Sequence, residues 1–358
     1  MRFTIAKPAD NLSLGDLFYT KPRTGAIREQ FEQLAKICRK RAEEEFPRSK
    51  DHPENDAILN QIEEELHIID NIYMSTAVLI LKEISDLSNE MGYPTTLLGS
   101  ESGLIILYLL GISGIHPRQY NYSTIPSELY LADVTYHREL YFTLSIAEPV
   151  REKILRRLDQ RFCQVRSLNH VYHRIGLPGS EWYEKIKDAV KKTGIDYHSI
   201  DLEDPDLLKS VCDDICHNDL KIERYFAYPE TSLDLARVFA YAVCDSETKD
   251  RFDSVKNYVF RDNIFKALNE TDLHPQKVEA LARNWSLGDE KIKEIEFMKR
   301  HGVPEEMIGV YRELGNQWPA ASCLARVNSM LMVKFYENRL KKRFESANSK
   351  IIRMEVFV

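Results

Sequence analysis

The sequence predicts an α/β fold rich in helix, with a small mixed sheet among helices and an all-helical region after it. Three observations lead there. Apolar residues recur at helical spacing through most of the chain up to Met91. Two later stretches, Glu139–Glu148 and Asn169–Ser180, carry the alternation and the β-formers of strands. From Trp182 onward the pattern is helical again, punctuated by Pro205, Pro229, Pro275, Pro304 and Pro319.

Taken in order, "MRFTIAKP" reads as a short strand stopped by Pro8. Between Thr24 and Phe46, Ile27, Phe31, Leu34 and Cys38 share one face, an amphipathic helix with Thr24 as its N-cap. Asn55–Asp70 and Ile72–Met91 are two further helices, the second heavily apolar. "YPTTLLGSESGLIILYLLGIS" (Tyr93–Ser113) then runs from a strand through a polar turn, Gly99–Gly103, into an apolar helix. That helix is too short to span a membrane, which needs about 20 apolar residues. Pro117 and "RQYNYSTIPSE" form a loop. "EPVREKILRRLDQRF" is a strongly basic helix, and Leu-Pro-Gly-Ser ends the second strand. The tail "KIIRMEVFV" alternates as a final strand. The expected division is 1–180, 181–345 and a tail at 346–358.

Hydrophobic residues at 43% and charged residues at 29% describe an ordinary globular chain. A net charge of −7 gives no global attraction to nucleic acid or anionic membrane, so polyanion binding needs a local patch. The six cysteines have no framework spacing and the N-terminus does not read as a signal peptide. Both point to the cytoplasm.

Four groups of residues carry possible chemistry. Backbone amides and hydroxyls at Gly99, Ser100 and Ser102, ahead of a helix, suit a phosphate, although either serine also serves as an ordinary N-cap. The turn holds Glu101 and no Lys or Arg, which repels such a ligand. Cys212, Cys216 and His217 with Asp213 and Asp214 hint at metal, but cysteines four apart on a helix pack as small apolar side chains and no second ligand pair accompanies them. His170 and His173 lie three apart on a strand and so face opposite sides. Finally, Arg151, Lys153, Arg156, Arg157, Arg161 and Arg166, and a second cluster at Arg339, Lys341, Lys342 and Arg343, are either phosphate contacts or solvated helix faces.

From about Phe18 to Tyr336 these pieces resemble, in collinear order, the catalytic core of the C-family DNA polymerases, specifically the PolC-type alpha subunit of bacterial DNA polymerase III. "LFYTKPRTGAIREQFEQLAKICRKRAEEEFP" and "ILNQIEEELHIIDNIYMSTAVLILKEISDLSNEMGY" are similar to the helical approach to its palm. "LLGSESGLIILYLLGISGIHP" is similar to its Gly-Ser loop and following helix. "KKTGIDYHSIDLEDPDLLKSV", "FRDNIFKALNETDLHPQKVEALARNWSLGDEKIKEIEFMKRHGVPEEMI" and "QWPAASCLARVNSMLMVKFY" resemble its fingers. The resemblance implies a nucleotidyltransferase-like palm followed by an all-helical fingers-like domain.

The departures bear on activity. The family holds two cations on three aspartates, two of them one residue apart on a palm strand and the third on a neighbouring strand. The matching positions here are Tyr141, Thr143 and Gly176. Neither Tyr nor Thr is an anionic magnesium ligand at neutral pH, and Gly has no side chain. Where the family's closing helix presents Lys, His and Tyr to the nucleotide, this chain has Ala320, Ser322 and Arg326. The thumb is reduced to about 147–165. The resemblance with these losses implies a catalytically inactive pseudo-polymerase with no metal and no cofactor, whose partner is a replication protein or weakly held DNA. The alternative is a residual magnesium-dependent nucleotidyltransferase on relocated ligands Asp133, His137 and Glu139. "NLSLGDLF" (Asn11–Phe18) resembles a sliding-clamp-binding peptide and is read as an N-terminal leader.

Overall fold

The structure, a computed structural model, describes residues 16–20, 26–71, 74–119, 140–151, 153–154, 173–216, 228–243, 259–274, 277–278, 281, 289–313, 318 and 320–340. The fold is α/β and rich in helix, and it divides into two compact units, one reaching Ile200 and one beginning at Asp201.

The first unit is built on a four-stranded sheet. Its elements are β1 (Asp16–Thr20), α1 (Ala26–Glu45), α2 (Glu54–Asn71), α3 (Ser75–Glu90), β2 (Thr96–Leu98), α4 (Ile105–Leu109), β3 (Leu140–Ser145), β4 (His173–Leu177) and α5 (Glu181–Thr193). The sheet order is β1-β4-β3-β2. β3 and β4 run parallel, and both outer pairs are antiparallel. A parallel pair needs a crossover, and residues 148–151 and 153–154 of that connection are helical. Phe142, Leu144, Ile175 and Leu177 lie on one face of the inner strands and are all inaccessible, which makes that face the core side of the sheet. α1 packs on α3 and α4, and α2 packs on α4. The apolar stripe of α1 reaches the core at Leu34 and Cys38, whereas Phe31 is half-buried.

β1 departs from the sequence reading. Leu17 and Phe18, taken there as the end of a leader, form a strand whose backbone pairs with β4 from Asp16↔Leu177 to Thr20↔His173. The run "DLFYT" is too short and too unevenly patterned to declare itself; its pairing comes from the exposed edge of β4. The expected strand at Met1–Pro8, Thr24 and the tail at 346–358 lie outside the described residues.

α5 belongs to the first unit. Lys187 donates to the Met91 carbonyl at 2.6 Å and lies 3.9 Å from the centroid of the Tyr93 ring, while Tyr197 Oη donates to Asn89 at 2.9 Å. Gly194 closes α5 at φ +70°, a left-handed conformation in which glycine carries no Cβ penalty.

Among the described residues, the regular elements of the second unit are helices: α6 (Pro205–Cys216), α7 (Ser232–Ala242), α8 (Arg261–Asn269), α9 (Asp289–Arg300), α10 (Glu305–Glu313) and α11 (Ala320–Leu340). α6, α7 and α11 pack on one another, and α9 pairs with α10. α11 is buried almost all round from Ala320 to Asn328, which explains why its sequence lacks an amphipathic stripe.

Candidate functional site

Two of the positions singled out in the sequence, Thr143 and Gly176, fall in one row across the sheet. Leu98 of β2 pairs with Thr143 of β3, Thr143 with Gly176 of β4, and Gly176 with Leu17 of β1. Thr143 and Gly176 are therefore immediate neighbours, and the Gly99–Gly103 turn leaves the sheet beside them. Thr143 is 8% exposed and Gly176 is buried. Tyr141 lies in β3 opposite Arg174. A two-cation site needs several anionic oxygens converging on the metals. A threonine hydroxyl beside a glycine does not provide them, so the donor set of this row does not fit magnesium.

The turn itself is closed from within. After β2, Gly99 adopts φ +102°, and a Cβ there would collide with the Glu101 carboxylate, which folds back over it. Ser102 is buried, and its hydroxyl donates to the Gly99 carbonyl at 2.7 Å while its own carbonyl accepts from Ser113 Oγ at 2.5 Å. That hydroxyl is committed to holding the turn. Gly99 and Ser102 thus form a turn around the chain's own acid. Ser100 begins the 3-10 turn.

A second acid completes this arrangement, and the sequence reading missed it. The first N–H groups of a helix have no partner inside the helix, and burial makes an unmet donor costly. Glu65, from the middle of α2, accepts from Ile105 N at 3.1 Å and from Ile106 N at 2.9 Å, the first two amides of α4. Its carboxyl is 2% exposed. Burial pushes it up from the ordinary carboxylate value to about 7, against the opposing pull of the two amides and Gln61, with Glu64 adding a like charge. A signal for it was present: Glu65 stands within the stripe Ile58–Ile62–Leu66–Ile69, where an acid has no reason to be unless it has partners inside.

The second unit repeats the device. Asp262, 6% exposed in the first turn of α8, accepts from Ala320 N at 2.8 Å and so caps α11. Ala320, Ser322 and Arg326 are all buried, with the Arg326 guanidinium 4.5 Å from the Trp318 ring centroid. Glu203 likewise accepts from Ser232 N at 2.7 Å and Ser232 Oγ at 2.5 Å at the start of α7.

Of the basic cluster, the Arg151 guanidinium meets Glu148 at 3.2 Å, and Lys153 is exposed. Arg156, Arg157, Arg161 and Arg166 lie outside the described residues, as do Asp133, His137 and Glu139, His170 and His217, and Lys341, Lys342 and Arg343. Arg339 stacks its guanidinium 5.3 Å from the Phe335 ring centroid. His173 opens β4. Cys212 and Cys216 are in contact at 3.7 Å, while Asp214 is bound by Lys334 at 2.5 Å. Among the described residues no three His, Cys, Asp or Glu side chains come together as a metal site. No helix among them is long and apolar enough to cross a membrane.

Residues 32–201 match the family model of the bacterial DNA polymerase III alpha NTPase domain. This stretch, which holds β2, β3, β4 and the helices around them, is therefore similar to a domain of that replicative polymerase subunit. No match is found among curated proteins.

Proposed function

We propose that this chain is a PolC-like pseudo-polymerase: a truncated palm-plus-fingers homologue that has given up nucleotidyl transfer and acts as a binding or regulatory protein in DNA replication or for a mobile element. The observation that carries this reading is the row Leu98–Thr143–Gly176, in which the two positions matched to palm aspartates, Thr143 and Gly176, stand side by side with no carboxylate among them. The similarity of residues 32–201 to the polymerase III alpha domain supports the scaffold half of the proposal. Glu101 supports the other half, because its carboxylate lies at the turn where a triphosphate would bring more negative charge. The partner is a replication protein or weakly bound DNA.

The test is primer extension with magnesium and, separately, with manganese. Product at the level of a protein-free control is expected. Extension that disappears in Asp133→Asn or Glu139→Gln would instead establish an enzyme on relocated carboxylates and overturn the proposal. A primer-template titration at low salt then separates the two partner classes: DNA binding through the basic segment should weaken steeply with added salt. Its absence even at low salt assigns the role to a protein partner.

A further inference from the structure

The last turn of α6 carries two thiols in contact. Cys212 Sγ and Cys216 Sγ are 3.7 Å apart, and neither is in a disulfide. Cys212 is 5% exposed; Cys216, the final residue of the helix, is half-buried and so reachable by a small solute. The turn that holds them is fixed by its neighbours. Lys334 of α11 binds Asp214 at 2.5 Å, and Tyr228 Oη donates to Asp213 at 3.4 Å. A disulfide requires the sulfurs to close to about 2.05 Å. Because α6 ends at Cys216, that movement falls on the terminal residue and leaves the hydrogen-bond ladder of the helix interior in place.

We propose that Cys212 and Cys216 form a dithiol modification site that hydrogen peroxide oxidises to an intramolecular disulfide. The Cys216 thiolate attacks a peroxide oxygen, the O–O bond breaks, and one water leaves with Cys216 as a sulfenic acid. The Cys212 sulfur then attacks the Cys216 sulfur, the S–O bond breaks, and a second water leaves with the Cys212 proton. Two thiols lose two electrons and two protons, and the peroxide becomes two waters. Cys216 is the more accessible sulfur and Cys212 the buried one, its thiol pushed up to about 12 by burial and the neighbouring Cys216, so Cys216 reacts first and Cys212 resolves it. Cys38 and Cys323 are fully buried. The inference stands apart from the pseudo-polymerase reading.

The experiment treats the reduced full-length chain with a modest excess of hydrogen peroxide, alongside a Cys163→Ser/Cys244→Ser variant that removes two cysteines outside the described residues. Peptide mapping should show the segment spanning Cys212 and Cys216 losing the mass of two hydrogens and resisting alkylation. Dithiothreitol should restore both properties, with Cys38 and Cys323 remaining alkylatable after unfolding. In Cys212→Ala, Cys216 should advance to the sulfinic acid, because its resolving partner is gone. The proposal is overturned if the wild-type Cys216 itself accumulates sulfinic acid without cross-linking. It is equally overturned if both thiols stay alkylatable at peroxide levels that oxidise a cysteine-containing control peptide.

Discussion

Two helices, one in each unit, begin on a carboxylate from inside the protein. In the first unit Glu65 grips two amides of the five-residue α4. In the second, Asp262 grips one amide of the 21-residue α11. The difference lies in what else supports each acid. Asp262 sits in the first turn of α8, so it lies at the positive end of its own helix as well as that of the helix it caps. Glu65 is in the interior of α2 with Glu64 beside it, and the short α4 is its main compensation. The same device is therefore well supported in one unit and held at a cost in the other.

Removing each cap tests this most strongly. Glu65→Ala leaves two buried amides unmet and opens a cavity, and should cost about 3–5 kcal/mol. Asp262→Ala leaves one amide unmet and should cost about 1–2 kcal/mol. Denaturant midpoints at constant slope measure both, and equal losses would erase the distinction between the two units.

The pH dependence sharpens the same contrast. The folded-state value of Glu65 is raised from 4.5 to about 7, so the folded protein holds this proton more tightly than the unfolded chain does. Its contribution to stability is full below about pH 4.5, falls as pH rises, and is lost above about pH 7, a change on the order of 3 kcal/mol. Glu65→Gln cannot titrate and should remove that slope. It also turns an amide N–H towards one of the two α4 donors, so the variant should be less stable than wild type at low pH. A Glu65→Gln profile parallel to wild type from pH 4.5 to 8 would show that another group carries the slope.

The smallest effect concerns Glu203, the third carboxylate at a helix start. It accepts from Ser232 N and Ser232 Oγ in a half-buried setting, where water replaces part of what is lost. Glu203→Ala should cost about 1 kcal/mol. A loss as large as that of Glu65→Ala would mean that burial does not set the ranking.

Much of the fold was legible in the sequence because it rests on local periodicity. The stripes of α1, α2 and α3, the alternation of β3, the turn after β4 and the helical second unit are all short-range signals that burial then rewards. β1 was not legible, since an edge strand of five residues becomes one only when β4 offers its backbone. The candidate site divides the same way. That Tyr141, Thr143 and Gly176 carry no carboxylate is a matter of residue identity, and the sequence alone determined it. That Thr143 and Gly176 are register partners, and that Ser102 is spent on holding its own turn, required the paired strands and the closed loop. Glu65 marks the limit most clearly. Its oddness within an apolar stripe was visible, but its role was not. The amides that it caps lie 40 and 41 residues further along the chain. Only tertiary packing of α2 against α4 decides that a buried acid there is a satisfied cap, because burial makes the unmet amides and the unmet charge costly together and brings them within reach of each other.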